Sequence, residues 1–295
     1  MDACTLCPRM CGVNRAAGEK GYCGMDATIR AARAALHMWE EPCISGTQGS
    51  GAVFFSGCSL RCIFCQNFEI AEGNCAKEIS GERLSEIFLE LQEQGAANIN
   101  LVTAAHYVPA VIESLKKAKA QGMDLPVIYN SSGYERVETV QMLEEVVDVW
   151  LPDFKYMDSK LAFAYSRAKD YPEVARAAIR EMMKAAGTCA YDEDGYIQKG
   201  VIVRHLILPG HMKNSIAVLD ELYGTYGDDL TISLMNQYTP LPQVRNIPDL
   251  NRRVTKREYE KVLDHALDLG ITQGFFQEGG TAKESFIPLF DYEGL

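Results

Sequence analysis

Residues 52–67 read AVFFSGCSLRCIFCQN: an apolar, β-rich run over 52–57 passes directly into three cysteines, Cys58, Cys62 and Cys65. The run is too short for a buried helix and suits a strand whose two faces are both covered. Downstream the same kind of run recurs as NINLVT (98–103), PVIYN (126–130), VVDVWLPDF (146–154), VIVRHLIL (201–208) and LTISLM (230–235). Between the runs apolar residues fall at helical spacing. Leu84, Ile87, Phe88 and Leu91 follow Ser80, and Val108, Val111, Ile112 and Leu115 form the next face. Val137, Val140 and Leu143 predict a short helix, residues 171–186 a longer one, and Ile216, Leu219, Tyr223 and Tyr226 another. Strands alternating with helices imply right-handed crossovers and a parallel sheet. Six strand–helix steps from residue 52 predict an α/β fold, a partial (β/α)6 TIM-like barrel with its chemistry at the C-terminal strand ends. Thr255 to Glu258 forms a capping box for a last helix, which Gly270 should stop.

Residues 1–45 differ, being loop-rich and cysteine-rich, with Gly12, Gly18, Gly21 and Gly24 among Cys4, Cys7, Cys11 and Cys23. So short a segment lacks a core of its own, and a metal would supply the missing stability. The expected division is a small Cys-rich metal-binding module over 1–45 and the barrel, with a C-terminal extension, over 46–295.

Composition narrows the function. The formal charge of −11, with no long Lys/Arg run, argues against nucleic acid or an anionic membrane surface as main partner. No apolar run approaches the roughly 20 residues of a membrane helix, and MDACTLCPRMCG lacks the pattern of a signal peptide. A cytoplasmic protein is expected. Seven of the 10 cysteines fall in two tight groups, which reads as metal ligation. Cys43, Cys75 and Cys189 read as ordinary thiols.

Cys58, Cys62 and Cys65 stand at Cys-x-x-x-Cys-x-x-Cys on the loop after the first strand. Three thiolates on one loop can wrap a face of a cubane cluster and leave the fourth iron open to chelate a substrate. A zinc site is the alternative. Cys4, Cys7, Cys11 and Cys23 supply four thiolates, enough for a closed zinc site or an auxiliary iron–sulfur cluster, and the spacing does not decide between them.

The triplet, with aromatic Phe64 before its last cysteine, resembles the radical S-adenosylmethionine superfamily. Together with CTLCPRMCGVNR, GYCG, EEPCISGTQGSG, INLVTAAHYVP and LPDFKY, it is similar to a branch resembling the pyruvate formate-lyase (glycyl-radical enzyme) activating enzymes, over nearly the whole chain. The resemblance implies an oxidoreductase with a [4Fe–4S] cluster on Cys58, Cys62 and Cys65, the catalytic centre. The open iron would hold the amino and carboxylate groups of S-adenosylmethionine. Reductive cleavage would then give a 5′-deoxyadenosyl radical that abstracts hydrogen. Phe64 would contact adenine. Thr103-Ala104-Ala105-His106 stands where the superfamily usually has a Gly-Gly-Glu-like segment, so Thr103 or His106 would supply the polar contact. The resemblance also implies reduced flavodoxin or ferredoxin as electron donor, and a glycyl-radical protein as partner. A small-molecule or peptide substrate is the alternative, and a non-catalytic iron–sulfur or zinc protein a third reading.

Further candidates follow from strand ends. Asn130, Ser131 and Ser132 end the third strand and can hydrogen-bond ribose or carboxylate. Asp153 and Lys155 share a face by the two-residue period and resemble an Asp-x-Lys segment of the activating enzymes. One of Arg204 and His205 must point inward, and Arg204 suits the methionine carboxylate. Met235, Asn236, Gln237 and Tyr238, then Gln277 and Glu278, are candidates for substrate contact.

Overall fold

The computed structural model describes residues 3–272, 274–277 and 288–295. The described strands are β1 (Arg30–His37), β2 (Ser50–Phe55), β3 (Lys77–Glu78), β4 (Ile99–Val102), β5 (Val127–Ser131), β6 (Val149–Pro152), β7 (Ala190–Tyr191), β8 (Ile197–Leu206), β9 (Thr231–Met235) and β10 (Gly274–Phe276). The helices are α1 (Pro42–Ser45), α2 (Phe68–Ala71), α3 (Gly81–Glu93), α4 (Val108–Ala120), α5 (Val137–Leu143), α6 (Ser159–Ser166), α7 (Tyr171–Ala186), α8 (Met212–Tyr226) and α9 (Lys256–Asp268).

The sheet order is β10-β9-β8-β6-β5-β4-β2-β1-β3, with β7 paired to β8. From β2 to β10 this path is parallel throughout. The crossovers are α3, α4, α5, the pair α6 and α7, α8 and α9. The six expected strand–helix steps are therefore present. The FF pair at 275–276 adds a short seventh parallel strand, β10. The capping box opens α9, and Gly270 follows it in the left-handed region, as expected.

The strands are apolar on both faces because each face is covered. On the outer face α3 buries Leu84, Ile87, Phe88 and Leu91, with Ser80 capping its first turn. On the inner face the two-residue period lines up Ile128 and Asn130, Val149, Leu151 and Asp153, Ile202 and Arg204, and Ser233 and Met235. The lumen is thus apolar at the strands' starts and charged near their ends. Cys43 and Ile44 on α1 pack onto Ile128, Val149, Leu151 and Ile202 and fill the apolar level. Asn98 fixes this plug, its Nδ2 donating to the Ile44 carbonyl (2.8 Å) while its Oδ1 accepts from Ser50 Oγ (2.6 Å).

Within the expected 1–45 module the structure makes a distinction. Residues 30–37 form β1, antiparallel to β2 and continuous with the barrel sheet, and α1 plugs the lumen. The loop-rich part precedes residue 30. It packs against the start of α5, where Thr139 Oγ1 donates to the Leu6 carbonyl (2.8 Å) and Arg136 to the Thr5 carbonyl (2.6 Å).

Candidate active site

The cysteine loop leaves β2 through Gly57, at φ +90°. A Cβ there would lie 2.4 Å from Met25 and 2.9 Å from the Cys23 carbonyl, so only glycine lets the N-terminal segment approach this closely. Arg61, also left-handed at φ 52°, turns the chain back. Ile63 N–H donates to the Tyr165 carbonyl (2.9 Å), and Arg9 reaches across to the carbonyls of Ser59 (2.9 Å) and Ser166 (2.9 Å). The loop is therefore held from α6 and from the N-terminus.

Cys58, Cys62 and Cys65 line a cavity of about 230 Å³ at the C-terminal ends of the strands. Phe64, Thr103, Asn130, Ser132, Asp153, Lys155 and Arg204 line the same cavity. Phe64 stands edge-on to Tyr156, Tyr165 and Tyr238, with centroids 6.3–6.4 Å apart. Thr103 follows β4 at φ 63°. A non-glycine residue there costs on the order of 1–3 kcal/mol, and such residues cluster at ligand sites.

The charged groups form one network. Lys155 Nζ donates to Asp153 Oδ2 (2.5 Å). Arg204 meets Glu40 Oε2 (3.1 Å), Asn130 Oδ1 (2.5 Å) and Asp153 Oδ1 (3.2 Å, an ion contact without hydrogen-bond geometry). Asn100 and Asn130 donate to Glu40 Oε1 at 3.1 and 3.3 Å. Burial opposes the charge on Asp153, but Lys155 and Arg204 hold its carboxyl below the usual range. Asp153, backed by Glu40 and Glu41, holds the Arg204 guanidinium in its charged form.

Burial pushes the Cys62 and Cys65 thiols up, while Lys155 pulls both down. Ser166 Oγ also donates to Cys62 Sγ (3.0 Å). Three sulfur donors on one short loop, beside a cation and a hydroxyl donor, fit a cluster bound as thiolates.

Two expectations resolve differently. Arg204 is the inward residue. His205 faces outward, bonded to the Phe154 carbonyl (2.7 Å) and Ser215 Oγ (2.9 Å). His106 does not line the cavity. It is buried behind the cluster loop, with Nε2 on the Ser56 carbonyl (2.7 Å) and its own carbonyl bonded by Arg15. Burial holds its ring well below the usual histidine value, at about 3. Met235 and Gln237 line the cavity. Tyr238 backs Phe64, and Gln277 donates to Gln237 Oε1 (2.9 Å). Glu278 lies outside the described residues. The sequence reading missed Glu40, whose partners Asn100, Asn130 and Arg204 stand far along the chain with no shared local pattern.

Cys4, Cys7, Cys11 and Cys23 are neighbours. The first, second and fourth are buried, and the Cys11 and Cys23 sulfurs lie within 3.8 Å of one point beside Gly21. Among the described residues no three His, Cys, Asp or Glu side chains converge tightly enough to hold a single metal ion, so for both cysteine groups the donor set rather than a closed shell carries the reading.

The chain is thus a parallel α/β barrel carrying three cysteines at its strand-end mouth. Residues 45–168 match the family described as a 4Fe-4S single cluster domain. That span holds the 58–65 triplet and excludes the first four cysteines. The chain is 29% identical over 270 residues to Uncharacterized protein MJ0674 of Methanocaldococcus jannaschii, covering 89% of this chain and 74% of that one. Its fold is similar to methylornithine synthase (PylB), with a TM-score of 0.52, 14% identity, and coverage of 74% of this chain and 60% of that one. It also matches Streptococcus suis SuiB bound to precursor peptide SuiA, with a TM-score of 0.49, 12% identity and 76% of this chain covered. The chain spans about half (47%) of that protein's length. The cluster-domain match supports an iron–sulfur cluster within residues 45–168, and the fold likeness bears out the expected partial barrel. No described helix is long and apolar enough to cross a membrane.

Proposed function

We propose that the chain reductively cleaves S-adenosylmethionine and directs the radical to a hydrogen donor. The observation that carries this is the convergence of the cysteine triplet, Phe64 and the Asp153–Lys155–Arg204 network on one cavity at the strand ends. When bound, the cluster would supply one electron and an open coordination position for the reductive cleavage of S-adenosylmethionine. The chain's own residues do the rest. Cys58, Cys62 and Cys65 hold the cluster. Phe64, pinned by three tyrosines, offers a fixed ring edge to adenine. Asn130, Ser132 and Thr103 offer hydrogen bonds to ribose and the methionine amine. Arg204 suits the carboxylate. Asp153 keeps Lys155 and Arg204 charged and oriented before ligand arrives, so little reorganisation is needed. Reduced flavodoxin or ferredoxin would supply the electron.

The hydrogen donor is a backbone glycine of a partner protein if the chain is a glycyl-radical enzyme activase, and otherwise a small molecule or peptide. For Cys4, Cys7, Cys11 and Cys23 we propose a second metal site, zinc or an auxiliary cluster. Metal content of the Cys11→Ser protein, against wild type, would distinguish the two.

The test is electron paramagnetic resonance of anaerobically reconstituted, reduced protein with and without S-adenosylmethionine, plus an assay for 5′-deoxyadenosine. A signal that changes on adding S-adenosylmethionine, with product formed, is expected. A signal indifferent to it, with no product, would leave a metal-binding protein on a barrel scaffold.

A further inference from the structure

A second chamber of about 350 Å³ adjoins the first and shares Trp39, Glu40, Arg204, Met235 and Gln237 with it. Its remaining walls are Glu41 and Pro42 at the start of α1, Ser233 on β9, and residues 274–277 on and after β10. Glu41 has no evident task there. The residue is 8% exposed, and its Oε2 has no hydrogen-bond partner. Burial and the adjacent Glu40 push its carboxyl up, while Arg204 and the Ser233 hydroxyl oppose them.

The charge balance around Arg204 points the same way. Three carboxylates (Glu40, Glu41, Asp153) face two cations (Arg204, Lys155). Asp153 and Glu40 take both cations by direct contact, and among the described residues Glu41 has no direct ion contact. A buried carboxyl with one oxygen left without a donor is costly, and a ligand that brings a cationic donor removes the cost. Phe275, paired with Ser233 on the inward side of β10, adds an apolar ring to the chamber.

We propose that this chamber holds the hydrogen donor, and that the donor is a compact molecule or side chain bearing a primary amine. Its ammonium pairs with Glu41, and its apolar part lies against Phe275. The inference rests on the function proposed above, since the wall shared through Arg204 and Met235 sets the donor beside the cluster cavity.

Isothermal titration of the reconstituted full chain tests it, with isoamylamine and its uncharged counterpart isoamyl alcohol as probes. S-adenosylmethionine is titrated on the same samples. The amine should bind wild type at least about tenfold more tightly than the alcohol. Glu41→Gln should lose at least about tenfold for the amine and keep alcohol and S-adenosylmethionine affinity within about twofold. Absent amine binding, equal binding of the two probes, or amine affinity unchanged in Glu41→Gln overturns the proposal. If the variant does not fold, the wild-type comparison decides alone. Amine binding without S-adenosylmethionine binding defeats the proposed function and leaves an amine site. The reverse defeats only this inference.

Discussion

The two groups of cysteines place the same side chain in opposite surroundings. Cys58, Cys62 and Cys65 stand at strand ends, open to a polar cavity, with Lys155 and Ser166 directed at Cys62. Cys4, Cys7 and Cys23 are sunk between the N-terminal loop and the barrel wall. Burial pushes the Cys7 thiol up to about 12, and the buried Glu135 carboxyl pushes the same way. The first environment presents sulfur to something that enters a cavity. The second closes sulfur off and ties loop to scaffold. Spacing alone makes both groups look like metal sites; the surroundings differ, the first facing a cavity and the second largely enclosed.

The comparison can be broken most directly by activity. Cys62→Ala should form no detectable 5′-deoxyadenosine while its melting temperature stays within about 3 °C of wild type, because its sulfur faces the cavity and the loop's core anchors, Leu60 and Phe64, are kept. Cys7→Ser should do the reverse, keeping a large share of product formation and lowering the melting temperature. Equal loss of product in both would erase the distinction.

Next in size, Arg204→Met leaves Glu40 and Asp153 without their shared cation. It should cost about 3–5 kcal/mol in chemical denaturation, far more than an exposed pair such as Lys116–Glu145. A cost below about 1 kcal/mol would mean that the lumen network is solvated.

Arg9 joins the two regions through Ser59 and Ser166. Arg9→Ala should cost about 1–2 kcal/mol and broaden the reduced-cluster resonance. An unchanged spectrum would show that the regions are mechanically independent.

The smallest effect is on pH. His106, between the two regions, is held at about 3 in the fold, against about 6.5 when unfolded. The unfolded chain therefore binds the extra proton first. The stability is present above about pH 6.5 and is lost as pH falls toward 3. His106→Gln should flatten the fall of the urea midpoint between pH 7 and pH 5, and an unaltered slope would remove His106 as its source.

Much of the barrel was legible because its strands and helices announce themselves locally. The predicted helix at 171–186 matches α7, and Thr255 and Glu258 carry their capping box in the sequence itself. Asp153, Lys155 and Arg204 were legible because strand alternation converts position into direction. Other features depend on distance along the chain. β1 reads RAARAALH, whose small alanines and paired arginines give no period-two pattern. α1 is four residues, too short to show any period. Glu40 acquires its meaning only from Arg204, 164 residues away. His106 looked like a site residue because it follows Thr103, yet the turn after β4 carries it behind the loop, onto Ser56.

The Arg9 fork also has a consequence for biosynthesis. Its acceptors lie 50, 157 and 158 residues further along the chain. At roughly 5–20 residues per second, the N-terminal segment waits on the order of ten seconds for its berth to be made. The four thiols nearest the start of the chain are therefore translated first and sheltered late. During that interval they are open to any metal donor or oxidant they meet.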